Sequence, residues 1–459
     1  MSEITLSPHV IAAARARLQA AGLGHPSPAA AAGPEPVHTV YGGAHLFKAD
    51  TAAKLGALAR RALEEHAPDA EAFAAAFGLP RGEDGALPAT VRARVLDKLR
   101  REPVEDLRID FEDGYGVRPD AEEDGHAAQA AREVARGMGA KSLPPRCGIR
   151  VKPLAPELCE RSLRTLDLFL STLAGETGGA LPEGFVVTLP KVSAAEQVAA
   201  LADALDTLER GLGLAAGAVG LEIMIEAPEA IFGADGALSP RRLCEAGRGR
   251  CVAAHFGPYD YTASLGITAA HQRLGHPACD LARMLLALAL AGTGVRVSDG
   301  PTNVLPIPVH RPAPGGPALD EEARAENRRA VHAAWGLHST NIRRALEQGI
   351  YQGWDLHPAQ LPARYAAVYA FFLEGVGAAS ARLQNFLDKA AQATRVGGVF
   401  DDAATGQGLL GFFLRAVGAG ALPEEEAVRL STLTLDELRT RSFAAVVEGR
   451  RGGRGVDPG

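Results

Sequence analysis

RIDFEDGYG, residues 108–116, alternates charged with apolar side chains: Arg108, Asp110 and Glu112 against Ile109 and Phe111. A period of two is that of a β-strand, whose successive side chains point to opposite faces. The three charges therefore share one face. Asp113 follows at the exit, where Gly114 and Gly116 loosen the chain. A strand that turns one face over to charge needs a place where several charged groups meet, and that need guides the reading of the rest.

Seven other β-rich runs end in polar residues and lead into helical stretches. They are VHTVYGGAHLF (37–47), CGIRVKPL (147–154), GFVVTLPKV (184–192), VGLEIMIEAPEA (219–230), CVAAHFGPYDY (251–261), GVRVSDGPTN (294–303) and YQGWDLHPAQ (351–360). Segments such as 52–66, 121–138, 194–212 and 277–292 carry helix-forming Ala, Leu and Arg between them. Strands alternating with helices imply a parallel sheet, and eight of them predict a closed (β/α)8 TIM barrel. Residues 1–36 read as an N-terminal helix and an Ala/Pro/Gly linker. The barrel is expected over 37–375, with 304–350 as an insertion holding a Pro/Gly-rich loop and a charged helix. A C-terminal helical region is expected over 376–450 and a disordered tail over 451–459.

With 459 residues the chain is longer than one typical domain, but barrels of this type run long as single units. Its 47% hydrophobic and 22% charged residues are an ordinary globular mixture. A net charge of −7 leaves no basic footprint for nucleic acid. The start, MSEITLSPHV, lacks the basic and apolar regions of a secretory signal. The densest apolar run, MLLALALAG at 284–292, falls far short of the roughly 20 residues needed to cross a bilayer. Five cysteines without a CxxC pair suit a reduced, cytoplasmic protein whose thiols are small core residues.

In a parallel barrel all strand ends of one polarity open at one mouth, where the active sites of such enzymes lie. Glu112, Asp113, Arg150, Lys152, Lys191, Glu226, His255, Asp260, Asp299, Asp355 and His357 all occupy such exits. Any one of them taken singly reads more simply as a solvated loop residue or a helix cap. Together they point to a shared site, since buried charges need partners. Glu222 lies on the strand face of Glu226 but four residues earlier, near the barrel floor, and reads as a paired structural carboxylate. Glu226 and Asp260 end adjacent strands, each two residues from a proline, Pro228 or Pro258, that stiffens the exit. With water and substrate oxygens they suit a hard cation such as Mg2+. No His/Cys cluster suggests zinc.

RIDFEDGYG, GIRVKP, VVTLPKVSAAEQV, LEIMIEAPEAIF, AAHFGPYDYTASLGI and GWDLHPAQL, in that order, resemble the strand-end motifs of the HpcH/HpaI aldolase and citrate lyase β-subunit family, within the phosphoenolpyruvate/pyruvate-domain superfamily. The resemblance spans about residues 37–375. It implies Glu226 and Asp260 as ligands of Mg2+, with Mn2+ as a substitute. It implies Arg150 as the grip on keto-acid oxygens and Glu112 as the acidic group near the metal. Lys191 matches the lysine at the mouth and His357 the late histidine; Asp113 joins Arg150 and His357 as a substrate contact. Glu112, Arg150 and Lys191 are the expected catalytic group.

Departures from the family pattern are Lys152 for an asparagine, Ala227 for a threonine, and the extra stretch GADGALSPRR. They mark a divergent subgroup. The expected reaction is carbon–carbon cleavage of a 2-keto or 2-hydroxy acid, free or as an acyl-CoA thioester, through an enolate. A malate-synthase-like condensation, thioester hydrolysis and a non-catalytic metabolite-binding barrel stay open beside it. Arg146, Arg241 and Arg242 are candidate contacts for CoA phosphates. The segment 395–418 reads either as a helix capped by Asp402 or Thr405 whose LLGFFLRAV packs on the barrel, or as a lid at a barrel mouth in a homo-oligomer.

Overall fold

The computed structural model describes residues 7–20, 35–80, 82, 85–312, 317–396 and 403–452. Eight parallel strands close in chain order into one barrel: β1 (His38–Gly43), β2 (Asp106–Asp110), β3 (Arg146–Arg150), β4 (Val186–Leu189), β5 (Gly220–Ile225), β6 (Cys251–Phe256), β7 (Arg296–Pro301) and β8 (Gln352–Asp355). Each overlaps one of the β-rich runs of the sequence. β1 closes the ring by pairing with both β2, Val40 against Leu107, and β8, Thr39 against Trp354.

Helices surround the ring and bury their apolar faces on it. In the helix Leu87–Arg101, Val91, Val95 and Leu99 recur at four-residue spacing and are buried, the spacing that lines one helix face. The helix Glu321–Glu347 stands between β7 and β8 and packs on the helices Ala70–Phe77 and Leu361–Val396. Most of the expected insertion 304–350 is therefore the barrel's own helix after β7. Its charged side obscured a buried stripe of Asn327, Val331, Trp335, His338 and Ile342. The helix Leu361–Val396 runs through residue 375 without a break, so the boundary placed there falls inside it. LLGFFLRAV lies in the helix Ala403–Gly418, with Leu410 and Phe413 buried and Phe412 edge-on to Phe372. Asp402, expected as its cap, lies outside the described residues. The N-terminal helix Pro8–Ala20 buries no residue. No described helix is long and apolar enough to cross a membrane.

The lumen of the barrel is polar where such lumens are usually filled by branched apolar side chains. The Arg108 guanidinium donates to Glu222 (2.9 and 2.6 Å) and to Asp106, and Glu222 also accepts from Thr188 (2.8 Å). All four side chains are buried. Burial would push the Glu222 carboxyl up, but Arg108 holds it well below the usual carboxylate range. Glu222 is thus the paired structural carboxylate its position suggested.

Candidate active site

β2 ends at Asp110, two residues earlier than the alternation of charge suggests, so Glu112 stands in the turn that follows. Asp110 makes that turn: its carboxylate accepts the backbone N–H of Glu112 (2.9 Å) and of Gly114 (2.7 Å). The same carboxylate takes Nε and Nη2 of Arg150 from the end of β3 (2.6 and 2.5 Å). Arg150 Nη1 points to Glu112 Oε2 (3.1 Å), with Asp113 at 3.9 Å. Below the guanidinium lie the rings of Tyr41 (4.9 Å) and Trp354 (5.4 Å). Tyr41, Met224 and Trp354 form a small apolar floor apart from the main core, and Tyr41 Oη pairs with His255 Nδ1 at 3.1 Å.

Lys191 follows β4 with φ of 51°, a left-handed backbone that non-glycine residues adopt rarely. The bend turns its backbone N–H toward Glu226 Oε1 (2.6 Å) and its ammonium toward Glu112 Oε1 (2.5 Å), Asp260 Oδ2 (3.4 Å) and Asp113 Oδ1 (3.6 Å). Glu226 is buried just past β5, whereas Asp260, in the first turn of the helix Pro258–Ser264, is half exposed. Pro228 and Pro258 both start helices, which fixes the two exits. Gly257 makes room for Glu226: a Cβ there would stand 2.3 Å from Glu226 Oε2.

The electrostatics follow from this crowding. Burial pushes the Glu226 carboxyl up to about 7 against the pull of Lys191, and Asp260 adds to the rise. Burial also raises Glu112, although Arg150 and Lys191 pull it down. Burial alone would lower the Lys191 ammonium, but Glu226 and Glu112 hold it above its ordinary value.

Glu112, Asp113, Arg150, Lys191, Glu226 and Asp260 therefore meet at one mouth. The other strand-exit residues do not join them. Lys152 turns outward to Glu123 (2.7 Å) and the Phe111 carbonyl (2.8 Å). Asp299 pairs with Arg283, and Asp355 with His38, His338 and Arg364. His357 caps a short turn by accepting the Ala359 N–H (3.2 Å), and its contacts are local. Of the arginines considered for CoA, Arg146 opens β3 at the opposite end of the barrel, where it lines a cleft of about 250 Å3 with Lys98, Glu105 and Tyr369. Arg241 and Arg242 pair on the surface with Glu245 and Asp235. Sequence reasoning placed Asp110 on the charged face of β2 without seeing its role; its two-residue spacing from Glu112 was the available signal. Tyr41 and Trp354 carried none.

No three His, Cys, Asp or Glu side chains among the described residues are disposed to hold a metal between them. Glu226 and Asp260 still fit a hard cation that takes few protein ligands and keeps water or substrate oxygens. Both donors are carboxylates, Gly257 leaves Glu226 room to lie against β6, and the Lys191 ammonium already places positive charge beside both.

The barrel is shared with a known structure, the first of several that align with this chain. A citrate lyase from Burkholderia xenovorans LB400 aligns with a TM-score of 0.52 at 17% identity, over 87% of this chain and 96% of that one. A malate synthase from Haloferax volcanii in a magnesium/glyoxylate complex aligns with a TM-score of 0.47 at 15% identity, over 90% and 97%. Protein CitE from Mycobacterium tuberculosis, in complex with magnesium and pyruvate, aligns with a TM-score of 0.37 at 16% identity, over 74% and 92%. No curated protein matches the sequence. A family model described as a domain of unknown function, DUF6986, matches residues 17–446, and the chain belongs to that family.

Proposed function

We propose that the mouth of this barrel is the active site of a Mg2+-dependent carbon–carbon lyase acting on a 2-keto or 2-hydroxy acid, free or as its CoA thioester. The observation that carries the reading is the meeting of a buried guanidinium, Arg150, with the carboxylates Glu112, Glu226 and Asp260 around Lys191. The citrate lyase with the same fold accords with it.

Glu226 and Asp260 would hold the ion, which when bound supplies a Lewis acid for charge developing on the substrate carbonyl. Asp110 occupies the Nε/Nη2 edge of Arg150, so a substrate carboxylate meets the guanidinium from its Nη1 side. The ring floor of Tyr41 and Trp354 keeps that guanidinium in place. Glu112, whose carboxyl burial raises above its ordinary value, takes the proton of a substrate hydroxyl on the carbon β to the carbonyl that accepts the electrons. That oxygen becomes the carbonyl oxygen of one product as the electron pair of the breaking carbon–carbon bond passes into the carbonyl of the other fragment to form an enolate, and Glu112 returns the proton to the enolate carbon. Lys191 Nζ, 2.5 Å from Glu112 Oε1, favours the ionised form of that base.

The test is a screen of 2-keto and 2-hydroxy acids, with and without CoA esters, for cleavage that chelation abolishes. Glu226→Gln and Asp260→Asn should each lower turnover at least about 100-fold while leaving the melting temperature near that of wild type. Full activity of both variants after chelation would overturn the metal assignment.

A further inference from the structure

One residue touches Glu112, Asp113, Glu226 and Asp260 together. Lys191 reaches Glu112 (2.5 Å), Asp260 (3.4 Å) and Asp113 (3.6 Å) with its ammonium and Glu226 (2.6 Å) with its backbone N–H. It does so from a left-handed backbone, φ 51°, which a lysine adopts only under constraint. Arg150, the other cation present, is committed to Asp110 by two short bonds and cannot neutralise Glu226 or Asp260. Among the described residues Lys191 is thus the group that balances Glu226 and Asp260 when no metal is there.

Resting on the metal reading above, we propose that Lys191 is a built-in counter-cation that competes with the divalent ion, so that metal binding requires its ammonium to withdraw from Asp260. The ammonium sits within 3.4 Å of one expected ligand, and its backbone nitrogen occupies an oxygen of the other. A unit positive charge so placed opposes a divalent cation directly, and its removal leaves the same carboxylates with one more uncompensated charge. The ammonium side chain is 37% exposed, so it has solvent into which to swing. The consequence is a mouth that stays balanced while empty and takes Mg2+ at the expense of one ion pair. Substrate carboxylate, by drawing the displaced ammonium, would then favour the loaded state.

The measurement is Mg2+ affinity by isothermal titration calorimetry, without substrate, for wild type, Lys191→Met, Lys191→Gly and Lys191→Arg. Lys191→Gly suits the left-handed backbone and keeps the N–H to Glu226, so it serves if Lys191→Met does not fold. Both uncharged variants should bind Mg2+ roughly tenfold more tightly, the size expected for removing one charge a few ångströms from a divalent ion at a solvated mouth. Lys191→Arg should stay within about threefold of wild type, since the charge is retained. Equal or weaker binding by the uncharged variants, with wild type binding normally, overturns the competition alone. Absence of Mg2+ binding in every form overturns the metal reading and the competition with it.

Discussion

At the residue scale the decisive contact is Asp110 with Arg150. Both are buried, and their bonds of 2.6 and 2.5 Å make a two-pronged pair of the kind arginine forms with a carboxylate. The pair fixes the guanidinium, and the backbone bonds to Glu112 and Gly114 tie the acidic turn to the same carboxylate. Removing one partner of a buried pair leaves an uncompensated charge, which costs about 3–5 kcal/mol. Asp110→Asn should therefore lower unfolding stability by about 3 kcal/mol and weaken keto-acid binding, while Asp110→Glu should recover part of both. Urea titration and a binding isotherm read the two effects separately. An Asp110→Asn protein with wild-type stability and affinity would remove Asp110 from the site. The charge alternation of β2 announced this residue, but only the fold showed that its partner is Arg150 rather than substrate.

At the scale of elements, the same kind of pairing closes the barrel. Asp355, at the end of β8, accepts from His38 Nδ1 on β1 (3.0 Å), from His338 Nε2 on the helix Glu321–Glu347 (2.8 Å) and from Arg364 on the helix Leu361–Val396 (2.9 Å). His38 Nε2 accepts the Glu105 N–H (3.1 Å), so His38 donates to Asp355 from Nδ1 as a neutral imidazole. One carboxylate therefore joins the first strand, the last strand and the two last barrel helices. Burial lowers the His338 imidazole below its ordinary value despite Asp355. Burial would raise the Asp355 carboxyl, but Arg364 and His338 hold it well below its usual range. Both shifts are depressions, so they have the same consequence. The native state binds fewer protons than the unfolded chain as pH falls below about 6.5 for the imidazole and about 4 for the carboxyl. The contribution of these two groups is full above about pH 7 and is lost stepwise through those two windows, while Glu226, raised to about 7, works in the opposite direction between about pH 7 and 4.5. The urea midpoint of wild type should lose its margin over His338→Gln, which keeps a donor to Asp355, between pH 7.5 and 5.5, and both midpoints should fall between pH 5.5 and 3.5. A difference between the two proteins that is unchanged from pH 7.5 to 5.5 would count against the imidazole assignment.

At the scale of the whole molecule, two apolar surfaces have no partner among the described residues. On the helix Pro277–Leu290, Leu281, Met284 and Leu288 form a stripe that is more than half exposed. The helix Pro8–Ala20 carries Val10, Ile11 and Leu18 in similar exposure and buries nothing, and a helix of 13 residues is marginal in water without packing. Surfaces of this kind mark contacts between chains, and a homo-oligomer is the expected state in solution. Sedimentation equilibrium should give a mass that is a multiple of 47.8 kDa, and Leu281→Glu with Leu288→Glu should shift it toward the monomer. A wild-type monomer at tens of micromolar would set aside this expectation and the expected lid over a neighbour's mouth. The residues 397–402 that such a lid would use lie outside the described structure. Removal of the C-terminal helices is a poor test of a lid, because Leu410, Phe413 and Leu422 are part of the core and the truncated chain would lose packing first.

The sequence by itself determined the barrel, its eight strands, and a gathering of polar side chains at the strand exits of one end. Strand periodicity and the βα alternation are local and repeat along the chain, and parallel closure leaves one end for all strand exits. By sequence the helix after β7 reads as part of an insertion rather than of the barrel, because the helix's buried stripe is diluted by Asn327 and His338 among charged neighbours. Only the tertiary structure decided which exit charges converge. Lys152, Asp299 and Asp355 have the residue types and positions of site residues, yet each turns toward the surrounding helices. Asp355 is one residue out of step with Trp354, and such a shift along a strand moves a side chain from lumen to outer face. Lys152 lies past the end of β3, where the alternation no longer holds. Only the tertiary structure placed Tyr41 and Trp354 under Arg150 and bent the chain at Lys191 so that one ammonium stands among Glu112, Asp113 and Asp260. Those contacts join residues dozens to hundreds of positions apart, and no periodicity of a strand or a helix reaches so far.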